Sequence, residues 1–243
     1  MAKTNVLGVE FDDVGLDAAV AAALEIALFG KGYIVTPNPE IVWLCRQNEA
    51  AKEAVNRAAL VVPDGIGVVY ASRILGRPLK GRVPGFDLAA GLLPLIAENK
   101  LRLFLLGAKP GIAERAAENL KKTHPELIIC GINDGYFKDS EPVVNMINES
   151  HADAVFVCLG APLQEIWMSE NLEKTCARLM IGLGGSLDVF AGEMKRAPDI
   201  WIKLNLEWLY RVSRQPSRAR RLLSLPKFLL AALKERLKGA KTG

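Results

Sequence analysis

Two short runs, Leu103-Phe104-Leu105-Leu106 and Val155-Phe156-Val157-Cys158, are apolar at every position. A strand turns successive side chains to opposite faces, so a run with no polar alternate needs cover on both sides. A sheet with helices on both faces provides that cover, and it is typically parallel. Further apolar runs at residues 5–9, 33–36, 60–63, 127–130 and 179–183, with 102–106 and 154–159 around the first two, read as its other strands. Helical patterns lie between them. Over residues 112–123, Ile112, Ala116, Ala117 and Leu120 recur on one face of a 3.6-residue period. The expected fold class is α/β with a largely parallel sheet and helices on both faces.

Half of the 243 residues are apolar, enough for a full core in one domain with or without an appendage. Cys45, Cys130, Cys158 and Cys176 are scattered with no close pair. They read as buried reduced thiols rather than as a disulfide framework or a zinc site. The first eight residues show no basic patch followed by an apolar stretch, and the longest apolar-rich run, 18–29, contains Glu25 and is too short to span a bilayer. The expectation is a cytoplasmic protein.

Charge is distributed unevenly. Residues 196–243 hold 12 Lys/Arg against 3 Asp/Glu, a net +9, whereas residues 1–195 hold 19 against 24, a net −5. This divides the chain into an acidic body, 1–195, and a basic appendage, 196–243, with an anionic partner expected for the appendage. Trp201, Leu204, Trp208 and Val212 follow a helical spacing, and so do Phe228, Leu229, Leu233 and Leu237 in a last helix expected at 226–237. Arg211, Arg214, Arg218 and Arg221 are three or four apart, with Pro216 interrupting. Aromatic residues interleaved with Lys and Arg on an amphipathic helix favour a membrane interface over nucleic acid. A solvated basic surface is the plainer reading.

Ligands of parallel α/β sheets bind beyond the carboxyl ends of the strands. Glycine, proline and a polar side chain recur at each such end here. Asp64 follows Leu60-Val61-Val62, where a partly desolvated carboxylate suits a general base, though turns also favour aspartate. Thr36 and Asn38 flank Pro37 in a stiff neighbouring loop. Gly107-Ala-Lys109-Pro-Gly111 opens a helix whose free N–H groups suit a phosphate, yet it is neither a dinucleotide fingerprint nor a P-loop. In Gly182-Leu-Gly184-Gly185-Ser186, close glycines let a ligand approach the backbone. Asp188 then either meets ribose hydroxyls or caps the next helix. Tyr136 and Gln164 occupy two more strand ends. The two histidines, His124 and His151, lie away from any strand-end Ser or Cys, which argues against a Ser/His or Cys/His apparatus. No Asp-x-Asp pair or metal-ligand spacing occurs, so a leaving diphosphate would rely on cations and N–H groups.

Taken together, Thr36-Pro-Asn-Pro-Glu40, Pro63-Asp-Gly-Ile-Gly67, Arg82-Val-Pro-Gly-Phe-Asp87, Phe104-Leu-Leu-Gly-Ala108, Gly160-Ala-Pro-Leu-Gln164 and the run from Gly182 to Gly192 resemble the WecG/TagA/CpsF glycosyltransferases. Arg196-Ala-Pro198, Leu206-Glu-Trp-Leu-Tyr-Arg211 and Pro226-Lys-Phe228 resemble that family's C-terminal appendage, so the likeness covers nearly the whole chain. Within the family it points to the N-acetylmannosaminyltransferases of wall teichoic acid synthesis. The resemblance implies a Rossmann-like, metal-independent, inverting transferase without a cofactor. Its donor would be UDP-N-acetylmannosamine and its acceptor undecaprenyl-diphosphate-linked N-acetylglucosamine, with the enzyme peripheral on the inner face of the membrane. By the same resemblance, Asp64 is the base, and Thr36, Asn38 and Gln164 hold sugar and diphosphate. Tyr136 and Asp188 lie near the uridine, and Arg211, Arg218 and Arg221 complete the site. Alternatives are another donor sugar (N-acetylmannosaminuronic acid or glucose), another nucleotide-using Rossmann-type enzyme such as a methyltransferase or reductase, or a membrane-surface adaptor. Nucleic acid is not an expected partner, and the oligomeric state, a homo-oligomer included, stays open.

Overall fold

The computed structural model describes residues 2–204, 207, 209, 210 and 224–239. Its strands are β1 (Lys3–Val6), β2 (Val9–Asp12), β3 (Gly32–Val35), β4 (Leu60–Val61), β5 (Arg102–Gly107), β6 (Ile128–Asn133), β7 (Ala154–Cys158) and β8 (Leu179–Gly182). Its helices are α1 (Leu16–Phe29), α2 (Pro39–Cys45), α3 (Glu49–Asn56), α4 (Ile66–Ile74), α5 (Gly85–Glu98), α6 (Ile112–Thr123), α7 (Glu141–Glu149), α8 (Leu163–Asn171), α9 (Ser186–Phe190), α10 (Asp199–Lys203) and α11 (Ser224–Gly239).

Six strands form one sheet in the order β4-β3-β8-β7-β5-β6, and every pairing in it is parallel. The fully apolar runs take the sheet's interior, with β7 between β8 and β5. Their alternate positions separate into two cores. Phe104, Leu106, Val155 and Val157 face one side, and Leu103, Leu105, Ala154 and Phe156 face the other. All eight are buried, which is why none is polar. The first core is closed by residues of α2, α3, α4, α7, α8 and α11, and the second by residues of α1, α5, α6 and α9.

Several boundaries differ from the sequence reading. The run 5–9 is not one strand. β1 and β2 form an antiparallel hairpin that turns at Leu7 and Gly8, whose φ values of 55° and 95° match a tight two-residue turn. Its Asp12 carboxylate accepts a hydrogen bond from Val61 N (2.9 Å), fastening the hairpin to β4. β4 stops at Val61 rather than at residue 63, although Val62 N still donates to Val35 O (3.0 Å). β6 runs on through Gly131 to Asn133. A Cβ at Gly131 would meet the Phe104 ring at 2.5 Å, so that glycine lets the edge strand close on β5 rather than ending it.

The thiol expectation holds for Cys45 and Cys158, while Cys130 is half-buried and Cys176 exposed; all four are free. α11 begins two residues before the expected helix and ends two after it. It packs on α4 and α2 and buries Phe228 and Ala232, whereas Leu233 and Leu237, expected on the same face as Phe228, are exposed. Among the described residues, no helix is long and apolar enough to cross a membrane.

Candidate functional site

Because the sheet is all-parallel, its strand ends present their loops along one edge. Across that edge the order is Asp64 after β4, Thr36 and Asn38 after β3, Gly184, Gly185 and Asp188 after β8, Gln164 after β7, Gly107 and Lys109 after β5, and Tyr136 after β6. Neighbouring strands lie about 4.8 Å apart, so residues remote in the chain become neighbours here.

The β4–β3–β8–β7 portion is cross-linked. Asp64 N donates to Pro37 O (3.1 Å), joining the loops after β4 and β3. Thr36, 7% exposed, donates from Oγ1 to Gly182 O (3.3 Å), joining β3 to β8. Gln164, 3% exposed, accepts at Oε1 from Gly184 N (3.0 Å), joining the β7 end to the glycine turn after β8. Gly184 has φ +55°, a left-handed conformation that glycine adopts at little cost. Asn38 caps α2, its Oδ1 accepting from Ile41 N (3.0 Å). The Asp64 side chain is partly exposed at the edge, and Gly65 after it has φ +102°.

The β5–β6 portion is looser. Gly107 stands so close to the Cys158 backbone that an added Cβ would lie 2.4 Å from its carbonyl oxygen. Lys109 is exposed, and the Tyr136 ring is 69% exposed while its N–H donates to Asp134 Oδ1 (2.8 Å). Asp188 is not the cap of α9; Gly185 holds that position, and Asp188 sits in the helix's first turn. Arg211, Arg218 and Arg221 lie outside the described residues.

The sequence profile of the glycosyl transferase WecG/TagA/CpsF family matches residues 4–242. The chain belongs to that family. Three relatives carry the name N-acetylglucosaminyldiphosphoundecaprenol N-acetyl-beta-D-mannosaminyltransferase. The one from Bacillus spizizenii is 41% identical over 209 residues, 86% of this chain and 81% of the relative. The one from Bacillus subtilis is 39% identical over 202 residues, 83% and 79%. The one from Staphylococcus aureus is 38% identical over 249 aligned positions, 99% and 96%.

In this WecG/TagA/CpsF chain the structure adds contacts for residues to which the sequence gave no role of their own. Arg82 donates from Nη2 to Ile202 O (2.9 Å) and pairs through Nη1 with Glu207 (3.5 Å), tying the loop before α5 to the C-terminal segment. Arg196 pairs with Asp87 and lies 4.8 Å from the centre of the Phe86 ring, which stacks on Phe190 at 4.7 Å. The start of α5 comes directly against Thr36, since a Cβ at Gly85 would lie 2.9 Å from Thr36 Oγ1. Leu225 of α11 and Pro39 of the first turn of α2 both come against Gly67 in the first turn of α4; a Cβ at Gly67 would sit 2.7 Å from Leu225 and 2.6 Å from Pro39. α11 therefore packs behind the two loops that hold Asp64 and Asn38.

Glu165 is the other unforeseen residue. A glutamate on a helix is ordinarily solvated, yet this one is 1% exposed. Burial pushes its carboxyl above the usual carboxylate range. Burial, and then the charge of Glu165, push the Cys45 thiol up to about 12.

Proposed function

We propose that this chain transfers N-acetylmannosamine from UDP-N-acetylmannosamine to undecaprenyl-diphosphate-linked N-acetylglucosamine, with inversion and without a metal, in teichoic acid linkage-unit or related surface-polysaccharide synthesis. The observation that carries the reading is that Asp64, Thr36, Asn38 and Gln164 stand at the ends of β4, β3 and β7 along one edge, where hydrogen bonds join the loop after β4 to that after β3, and both β3 and β7 to the end of β8. The relatives' printed name supplies the acceptor and the sugar.

In this reading Asp64 takes the proton of the acceptor hydroxyl as its oxygen bonds to the donor's anomeric carbon. The bond from that carbon to the diphosphate breaks, and UDP leaves from the opposite face with the electron pair. Thr36, Asn38 and Gln164 position sugar and diphosphate, and a framework already ordered spends little entropy in doing so. N–H groups of the turns after Gly107 and at Gly185, with Arg211, Arg218 and Arg221, meet the diphosphate charge. Lys109 adds a cation, and Tyr136 and Asp188 receive the nucleoside. Residues 1–195 form the catalytic body.

Residues 196–243 form the appendage that meets the inner face of the membrane. On α11, Leu230, Leu233 and Leu237 are 56%, 45% and 56% exposed and follow one helical stripe, beside exposed Lys227, Lys234 and Lys238. Apolar side chains flanked by lysines on a docked helix suit an anionic lipid surface.

The test is release of UDP from UDP-N-acetylmannosamine, with a prenyl-diphosphate-linked N-acetylglucosamine analogue as acceptor. Acceptor-dependent release is expected, unchanged by a chelator. UDP binding without release would redirect the reading to another donor sugar, and no UDP binding would end it. Restoration of chelated enzyme by a divalent ion would refute metal independence. Leu233→Glu and Leu237→Glu together should abolish co-sedimentation with anionic vesicles; retention would refute the α11 contact.

A further inference from the structure

Glu165 is placed where an acidic residue is costly. The residue is 1% exposed, and among the described residues its buried Oε2 has no hydrogen-bond partner. Oε1 accepts from Gln164 Nε2 at 2.8 Å. The other end of the same carboxamide, Gln164 Oε1, accepts from Gly184 N at 3.0 Å. These two bonds form a short relay from the interior of α8 to the glycine turn at the end of β8.

The relay has a direction. A carboxamide is nearly symmetric in shape but not in chemistry, since one end donates and the other accepts. Either orientation of Gln164 would fill the same space. A carboxylate has only acceptors, so Glu165 draws the NH2 group towards itself and leaves the carbonyl for the Gly184 N–H. The reversed carboxamide would set two donors against each other at Gly184. It would also set carbonyl against carboxylate at Glu165. The amide end also lies tight against β8, because a Cβ at Gly182 would come within 3.1 Å of Gln164 Nε2.

We propose that Glu165 is a positioning residue, whose buried carboxylate fixes the Gln164 carboxamide in the one orientation that holds the Gly184 turn in shape for the donor's diphosphate and sugar. The inference rests on the reading of Gln164 as part of the donor site. Stability is a poor reason to keep this side chain. A buried charge with an unpaired oxygen is commonly replaced by a neutral residue of similar size at no loss, and often at a gain.

The test uses the full chain with Glu165→Gln, which keeps the shape and loses the acceptor-only character, and Glu165→Met, which keeps the volume and loses the hydrogen bond. Three quantities are read in each: kcat and KM for UDP-N-acetylmannosamine, the melting temperature, and hydrogen exchange at the Gly184 amide. A fall of about 10-fold or more in kcat/KM is expected in both variants. Exchange at Gly184 should be faster, and the melting temperature unchanged or raised. Activity within twofold of the wild type in both variants would overturn the proposal. So would activity and melting temperature falling together with exchange at Gly184 unchanged, which is the signature of a purely structural residue. If the wild type fails to use the UDP-sugar, the donor-site reading falls, and exchange at Gly184 still decides whether Glu165 orders the turn.

Discussion

The two halves of the carboxyl edge are built differently. Over β4, β3, β8 and β7 the loops are joined by buried side chains, Thr36 to Gly182 and Gln164 to Gly184, with Glu165 behind the second contact. Over β5 and β6 the contacts between loops are backbone ones, Ala108 N to Cys158 O and Gly135 N to Ala108 O, while Lys109 and Tyr136 project outwards. In the proposed reaction the first half holds the reacting atoms and the second the nucleoside. Groups that must be placed to a fraction of an ångström gain from being ordered in advance. Groups that only bind can be ordered by the ligand, at about 0.5–1.5 kcal/mol per side chain.

The largest test of this difference is Asp64→Asn. In the rigid half it should lower kcat by about 10²–10⁴-fold, the range for loss of a general base. UDP affinity and melting temperature should hardly change. An equal loss in UDP binding would place Asp64 with the nucleoside and dissolve the contrast.

Next comes Gly67→Ala, which adds a methyl where Pro39 and Leu225 already come against α4. Overpacking of this kind costs about 1–3 kcal/mol. A lowered denaturation midpoint, with faster exchange in the first turns of α2 and α4, would show that α11 braces the rigid half. An unchanged midpoint would show that it does not.

Tyr136→Ala probes the open half. Loss of one stacked ring should weaken UDP binding by about 1 kcal/mol, near fivefold, with kcat and stability unchanged. A drop in kcat instead would mean that this half takes part in the chemistry.

The smallest effect is the pH dependence attached to Glu165. Its folded pKa is raised by burial, so between the ordinary carboxylate range and that raised value the folded chain holds a proton that the unfolded chain has released. The contribution of Glu165 to stability is thus fully present below the ordinary range and lost as pH rises through the folded pKa. Wild type and Glu165→Gln should then diverge in melting temperature as pH rises, with the wild type the lower. Parallel curves would show that the group does not titrate in this window.

Much of this architecture was legible in advance. The all-apolar runs required two covered faces, and the observed cores divide them residue by residue, Leu103 and Leu105 to one side, Phe104 and Leu106 to the other. Glycine and proline marked the strand ends, and the helix at Ile112–Thr123 followed from its period. The first strand was misread because a positive φ at Leu7 carries no signature in a leucine. β6 was cut short because Gly131 read as a terminator, when its missing side chain admits the Phe104 ring. Asp64 was legible because it directly follows the apolar run Leu60-Val61-Val62, whereas Gln164 was one of several polar residues at strand ends and gained its role through the family resemblance. Glu165 was not legible, since a glutamate on a helix is ordinarily solvated and only packing shows otherwise.

The sequence by itself determined the class of fold, the edge on which the site is proposed and the residue types it offers. Those follow from periodicity and from the backbone demands of turns, which are local. The strand order β4-β3-β8-β7-β5-β6 is not local, and it alone brings Asp64, Thr36 and Gln164 together from three distant parts of the chain. The tertiary structure likewise decided that α11 lies on α2 and α4, and that one carboxylate, Glu165, is buried without a partner for its second oxygen among the described residues. Which side chain meets which across a parallel sheet depends on where each crossover sets down its strand, and that is settled by packing on both faces at once.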